Sequence, residues 1–220
     1  MERTLLITGR HSAFTDDLVQ EALARKFRVL ATYDPSGEEP EVPDGLGDDL
    51  TYIEWNRRSP ISARSVLLKA ENAADSVEEL FVVYSPESLT VPFHETGASR
   101  IEELVDANIK GYLFLLREAL GYLLRHGEGG GLNIVVRDRG SELVPPLESA
   151  VSNAFRSTVR SIMSFYEEEP VRIRGFHAPE SKEGREFAQY ILDTIQEKGE
   201  KSAGRWNKFG GRGALFPFRK

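Results

Sequence analysis

Three places in this 220-residue sequence carry side chains whose types and spacing could do chemistry. The first is Thr8-Gly9-Arg10-His11-Ser12-Ala13, a run of small and polar residues between an apolar stretch and one of helical spacing. Amides left free at a helix N-terminus, together with such side chains, make a seat for a small anion. The second is Asp34, an acid at the end of another apolar run, with the polar Asn56 ending a third. The third lies on later helices. Asn108 projects into an otherwise apolar arc, and Glu148 and Ser152, spaced i and i+4, face the same way.

Much other chemistry is excluded. Cys is absent, which removes disulfides, thiolate metal sites and cysteine nucleophiles. His11, His94, His126 and His177 show no close metal-ligand spacing. A net charge of −7 argues against a general binder of nucleic acid or membrane surfaces. No apolar run approaches the roughly 18 residues of a membrane span, and the N-terminus enters a strand almost at once, so a cytoplasmic location is expected. From Glu200 onward six cationic side chains face one anionic, giving a basic C-terminal arm of +5 over residues 200–220 and leaving −12 on the remainder. Such an arm suits an acidic face of the chain's own oligomer.

The elements that position these residues follow from periodicity. Leu5-Leu6-Ile7 reads as a strand buried on both faces, ending at Gly9. Leu18, Ala22 and Leu23 mark a helix that Thr15 or Asp16 can cap, and 28–33 is a second strand closing on Asp34. Strand, tight loop, helix, strand and acid form the first unit of a dinucleotide-binding fold, in which the acid reaches a ribose hydroxyl. Further strands are expected at 50–55, 80–84, 132–136 and 171–178, with helices at 62–74, 99–126, 147–168 and 183–198 and a last strand in the C-terminal arm. At 100° per residue, Leu113 falls in the buried arc of the helix at 99–126 and Phe114 on its polar side. The whole chain, 1–220, reads as one domain, a doubly wound parallel α/β sheet with helices on both faces.

Within this frame the sequence resembles the short-chain dehydrogenase/reductase family. Thr8 and Gly9 match the start of its TGxxxGxG loop, Asn108-Ile109-Lys110-Gly111 its NxxG segment, and Pro179 the proline after its sixth strand. The resemblance implies an NAD(P)-binding scaffold, with Asn56 near the adenine amine and Thr8 to Ala13 at the phosphates. It implies that Asn108 supports the active site through a local helix distortion, and that Glu148 and Ser152 stand at the catalytic tyrosine and lysine.

The departures are as specific as the matches. Ala13 and Thr15 replace the second and third glycines, and Thr15 adds a branched side chain where phosphates would approach. Tyr84-Ser85-Pro86-Glu87 replaces an Asn-Ala-Gly turn, and Glu180 replaces a glycine after Pro179. Arg137-Asp138-Arg139, read as a surface ion cluster, fills the place of the catalytic serine, with Ser141 a few residues too late. Carbonyl reduction needs a phenol acidified by an ammonium that also holds the nicotinamide ribose, and neither Glu148 nor Ser152 supplies this. The expectation is a non-catalytic binding, regulatory or assembly subunit with no cofactor, or NAD over NADP if one binds, because Asp34 repels a 2′-phosphate. One alternative is an oxidoreductase whose acid has moved to Glu148 or Tyr84. Another is a nucleotide or small-anion module using Arg10, His11 and Ser12. A homodimer is expected through helices 99–126 and 147–168.

Overall fold

A computed structural model describes residues 3–9, 12–74, 76–86, 91–126, 130–138, 144–197 and 202–211. Seven strands form one sheet: β1 (Thr4–Thr8), β2 (Arg28–Tyr33), β3 (Leu50–Glu54), β4 (Glu79–Tyr84), β5 (Gly131–Asp138), β6 (Arg172–Pro179) and β7 (Trp206–Lys208). Their order is β3-β2-β1-β4-β5-β6-β7, every pairing parallel. Parallel neighbours need crossovers, and helices α1 (Ala13–Ala24), α2 (Pro60–Ala73), α3 (Ala98–Val105), α4 (Gly111–His126), α5 (Pro146–Phe165) and α6 (Gly184–Glu197) lie between the strands.

Alternation along the strands divides the interior in two. Leu6, Leu30, Leu80, Val82, Leu132 and Ile134 face one way, into a core completed by α2, α4 and α5. Leu5, Ile7, Val29, Phe81 and Val83 face the other way, onto α1 and α6. The strand order reverses between β1 and β4, and in such sheets ligands bind beyond the carboxyl ends of the strands at that switch point.

The opposite end of the sheet holds a buried polar cluster. Glu79, at the start of β4, accepts from Asn133 at 2.7 Å and from Arg174 at 3.3 Å, while the Arg174 Nε donates to the Ser202 hydroxyl at 2.9 Å. Burial pulls the Arg174 guanidinium down, and the Glu79 carboxylate opposes that shift. Gly131 gives them room, since a β-carbon there would overlap the Glu79 carboxylate.

Two expectations are corrected here. Helix α1 is capped by Ser12, whose hydroxyl accepts from the Thr15 amide at 3.2 Å; Thr15 and Asp16 already lie inside the helix. The long helix at 99–126 is interrupted by a π turn at Asp106–Lys110. A π turn carries one extra residue, so the phase beyond it slips by about 100°. As a result Leu113, expected inside, is exposed, and Phe114, expected on the polar side, packs half-buried against the core.

Candidate functional site

The carboxyl ends of β1, β2 and β3 form the first half of the site. Thr8 donates to the Phe81 carbonyl at 2.8 Å, and the Gly9 amide donates to the Thr32 hydroxyl at 3.0 Å. A β-carbon at Gly9 would lie 2.9 Å from the Val83 β-carbon, so glycine is required for the close passage of this loop over β4. Ala13 opens α1 on its exposed side. Thr15 is 3% exposed and turns inward, with its hydroxyl 2.9 Å from that of Ser12. Arg10 and His11 lie outside the described residues, as do Glu87, Arg139, Ser141 and the end of the C-terminal arm.

Beside this loop is a recess of about 370 Å³ lined by Asp34, Ser36, Asn56, Arg57, Arg58 and Ala107. Asp34 accepts from the Ser36 amide at 3.0 Å and the Ser36 hydroxyl at 2.6 Å. Its other oxygen lies 3.8 Å from the Arg57 guanidinium, whose side chain is 6% exposed. Asn56 also borders the recess, with its side-chain oxygen accepting from the Arg58 amide at 3.0 Å. Gly111 seats the Arg57 loop, because a β-carbon there would overlap the Arg57 carbonyl oxygen. The glycine of the NxxG segment thus acts on the recess through Arg57. Sequence reading missed Arg57; its only signal was a cation directly after the polar end of β3.

The ends of β4, β5 and β6 form the second half. Tyr84 stacks on Phe155 of α5 with ring centres 4.0 Å apart and planes 7° from parallel. Tyr112 packs against both, and Trp55 meets Tyr112 edge-on at 5.5 Å. Tyr84 is 1% exposed. Burial first, and Tyr112 second, hold its phenol well above the ordinary tyrosine range, against smaller opposing effects of the Ser152 hydroxyl, Arg156 and Arg57. Ser152 therefore sits beside the Tyr84 phenol. Glu148, one turn earlier on α5, is buried. Asn108 is fully buried in the π turn, which packs against α5, and donates to the Leu104 carbonyl at 3.0 Å. The helix distortion expected around Asn108 is present.

Arg137 closes this half on its α1 side. Its guanidinium donates to the main-chain carbonyls of Glu180 and Lys182 and lies 5.1 Å from the centre of the Phe14 ring in the first turn of α1. Burial lowers its pKa, with Glu180 and Asp17 opposing. Arg137 clamps the turn between β6 and α6 against α1, with Glu180 and Asp17 as its charged neighbours.

Among the described residues no group of His, Cys, Asp or Glu could hold a metal ion, and no helix is long and apolar enough to cross a membrane.

No protein-family model matches the chain. The NADP-dependent 3-hydroxy acid dehydrogenase of Shigella flexneri is 22% identical over 130 residues, which are 59% of this chain and 52% of that protein, so the match spans about half the length of the curated relative. Among solved structures, a 3-ketoacyl-(acyl-carrier-protein) reductase from Brucella melitensis, complexed with NADH, superposes with a TM-score of 0.81 at 13% identity, over 96% of this chain and 98% of that one. A short chain dehydrogenase from Mycobacterium smegmatis gives 0.82 at 14% identity, over 96% and 93%. One from Leptospira borgpetersenii with bound NAD+ gives 0.80 at 15%, over 94% and 91%. The chain carries, in divergent form, the Rossmann fold of the short-chain dehydrogenase/reductase family.

Proposed function

We propose that this chain is a non-catalytic short-chain-dehydrogenase-like protein that binds the adenosine-phosphate portion of a nucleotide and acts as a binding or regulatory subunit. The Tyr84–Phe155 stack carries this reading. In the family a lysine on α5 holds the nicotinamide ribose; here its position is Ser152, which sits against a phenol that is 1% exposed. A phenol removed from solvent, with its pKa raised, has no path to a substrate and no tendency to give up its proton. Tyr84 is therefore a poor relocated acid. Glu148, also buried, offers no better route.

The residues thus fit one half of a dinucleotide. At the adenosine end, the recess beside Asp34 is open and flanked by polar groups. At the nicotinamide end, Ser152 stands at the position of the ammonium, and Ser141 lies outside the described residues. Asp34 alone would favour an unphosphorylated ribose, and Arg57 at 3.8 Å weakens that preference by offsetting its charge. The Brucella and Leptospira structures hold NADH and NAD+, and the Shigella relative is NADP-dependent by name; for this chain, affinity is weak and resides in the adenosine portion.

Titration calorimetry with 5′-AMP, ADP-ribose, NAD(H) and NADP(H), alongside turnover of a carbonyl panel, tests the reading. ADP-ribose and NAD should bind within about threefold of each other, a difference below 1 kcal/mol, and no carbonyl should turn over. NAD binding tenfold tighter than ADP-ribose, or steady turnover, would overturn it. The proposed subunit is cytoplasmic and pairs with itself through the α3–α4 and α5 face. Leu113 and Leu124, both exposed on α4, are apolar side chains available to that contact.

A further inference from the structure

The end of α5 lies far from the recess and carries a knob beside a pit. Phe165, the last residue of α5, is 82% exposed, more than any other large apolar side chain among the described residues. A single exposed phenylalanine is common and means little alone. Its neighbour changes that. Tyr166, which meets the Phe165 ring edge-on at 5.3 Å, forms one wall of a pit of about 180 Å³. Met163, Glu167, Val171, Ile173, Ala203 and Gly204 line the rest. The pit is well below the roughly 300–1,000 Å³ of small-molecule sites. Its wall is mixed, with Met163, Val171 and Ile173 as the apolar part, and its size suits one inserted side chain.

The rim is charged on both sides. Glu167, Glu168 and Glu169 follow the knob, all exposed, while Arg205 follows Gly204 on the far side of the pit, also exposed. Among the described residues none of these four has an ion-pair partner in its own chain. A surface that holds a knob and a hole, with an acidic run between them and a cation next to the hole's other wall, can be complementary to itself. That is the requirement of a two-fold contact, in which residue i meets residue j and j meets i.

We infer that the α5 terminus and the turn at 202–205 form a homotypic docking surface, in which Phe165 of one copy enters the pit of a second copy and Arg205 meets the acidic run across the two-fold. The basic charge at the start of the C-terminal arm thereby gains an acidic face of its own oligomer. This contact is separate from the α3–α4 face and does not depend on nucleotide binding.

Sedimentation velocity of the full chain at about 100 μM tests it, with melting curves to confirm that each variant is folded. Phe165→Glu should halve the wild-type mass, and Ala203→Trp, which fills the pit and leaves the knob in place, should do the same. Glu167→Arg should weaken assembly, and adding Arg205→Glu should restore it. Leu113→Glu serves as the control for the α4 face and should leave the Phe165 contact intact. A monomeric wild type, or an unchanged mass in folded Phe165→Glu and Ala203→Trp, would overturn the inference, as would failure of the charge swap to restore what the single reversal weakens.

Discussion

The two halves of the sheet's carboxyl edge start from the same architecture and end differently. Beyond β2 and β3, the polar side chains of Asp34, Ser36, Asn56, Arg57 and Arg58 line a recess. Beyond β4 and β5, the chain places Tyr84 against Phe155 and Arg137 across Phe14, and the edge is filled from within. The lesson is that one edge of a single sheet can keep polar groups around a recess in one half and bury aromatic rings in the other. The Tyr84 and Phe155 rings belong to the core.

Core should behave as core. Phe155→Ala removes the ring stacked on Tyr84 and should destabilise the protein by about 3–5 kcal/mol, measured by urea unfolding, while 5′-AMP affinity stays within twofold. If nucleotide binding fell in parallel, the two halves would be one coupled site and the comparison would fail. A smaller effect should couple stability to the open half. Gly111→Ala forces the Arg57 loop off α4, costing about 1–3 kcal/mol as overpacking does, and should weaken 5′-AMP about tenfold, or ~1.4 kcal/mol. Unchanged affinity would mean that Arg57 does not shape the recess.

The smallest effect concerns pH. The Tyr84 phenol has its pKa raised in the folded state, chiefly by burial. The stabilisation linked to its proton is complete below the unfolded tyrosine value of about 10 and is lost progressively as pH rises above it. Stability should therefore decline from about pH 10 upward, and Tyr84→Phe should flatten that decline. An identical alkaline slope in the variant would place the loss elsewhere, for example on Tyr122, which burial also raises.

What could be read in advance was set by local patterns. Leu5-Leu6-Ile7 and the run ending at Asp34 announced buried parallel strands because both faces of those strands are covered. The Thr8-Gly9, Asn108 and Gly111 matches pointed to the right scaffold. The resemblance implied a distortion at Asn108, but its effect on phase was not legible from periodicity, since a uniform 100° step assumes that no turn takes an extra residue, and Leu113 and Phe114 fall on the wrong faces. Nor were the pairings that shape the site. Arg57 reaches Asp34 only through the β2–β3 register and the seat at Gly111, and Tyr84 meets Phe155 only when β4 and α5 are both in place. Arg137 looked like one charge in a charged run because nothing nearby in sequence reveals the carbonyls it binds.

The cluster at the other end of the sheet bears on how the chain is made. Glu79, Asn133, Arg174 and Ser202 come from four widely separated segments, and each belongs to a different step of synthesis. On a ribosome, the first five strands emerge while Arg174 is still unmade, so the Glu79 carboxylate must stay in water or be buried with Asn133 alone. The last strands then bring the guanidinium and the Ser202 hydroxyl together. Long-range contacts of this kind form late because their loops must close first. A nascent chain stopped before residue 172 would hold a sheet edge without its partner and an acid without its cations Arg172 and Arg174, a species suited to chaperone binding. Completion of the fold is thus tied to the C-terminal quarter of the sequence, and removal of that quarter should release the acid that anchors β4.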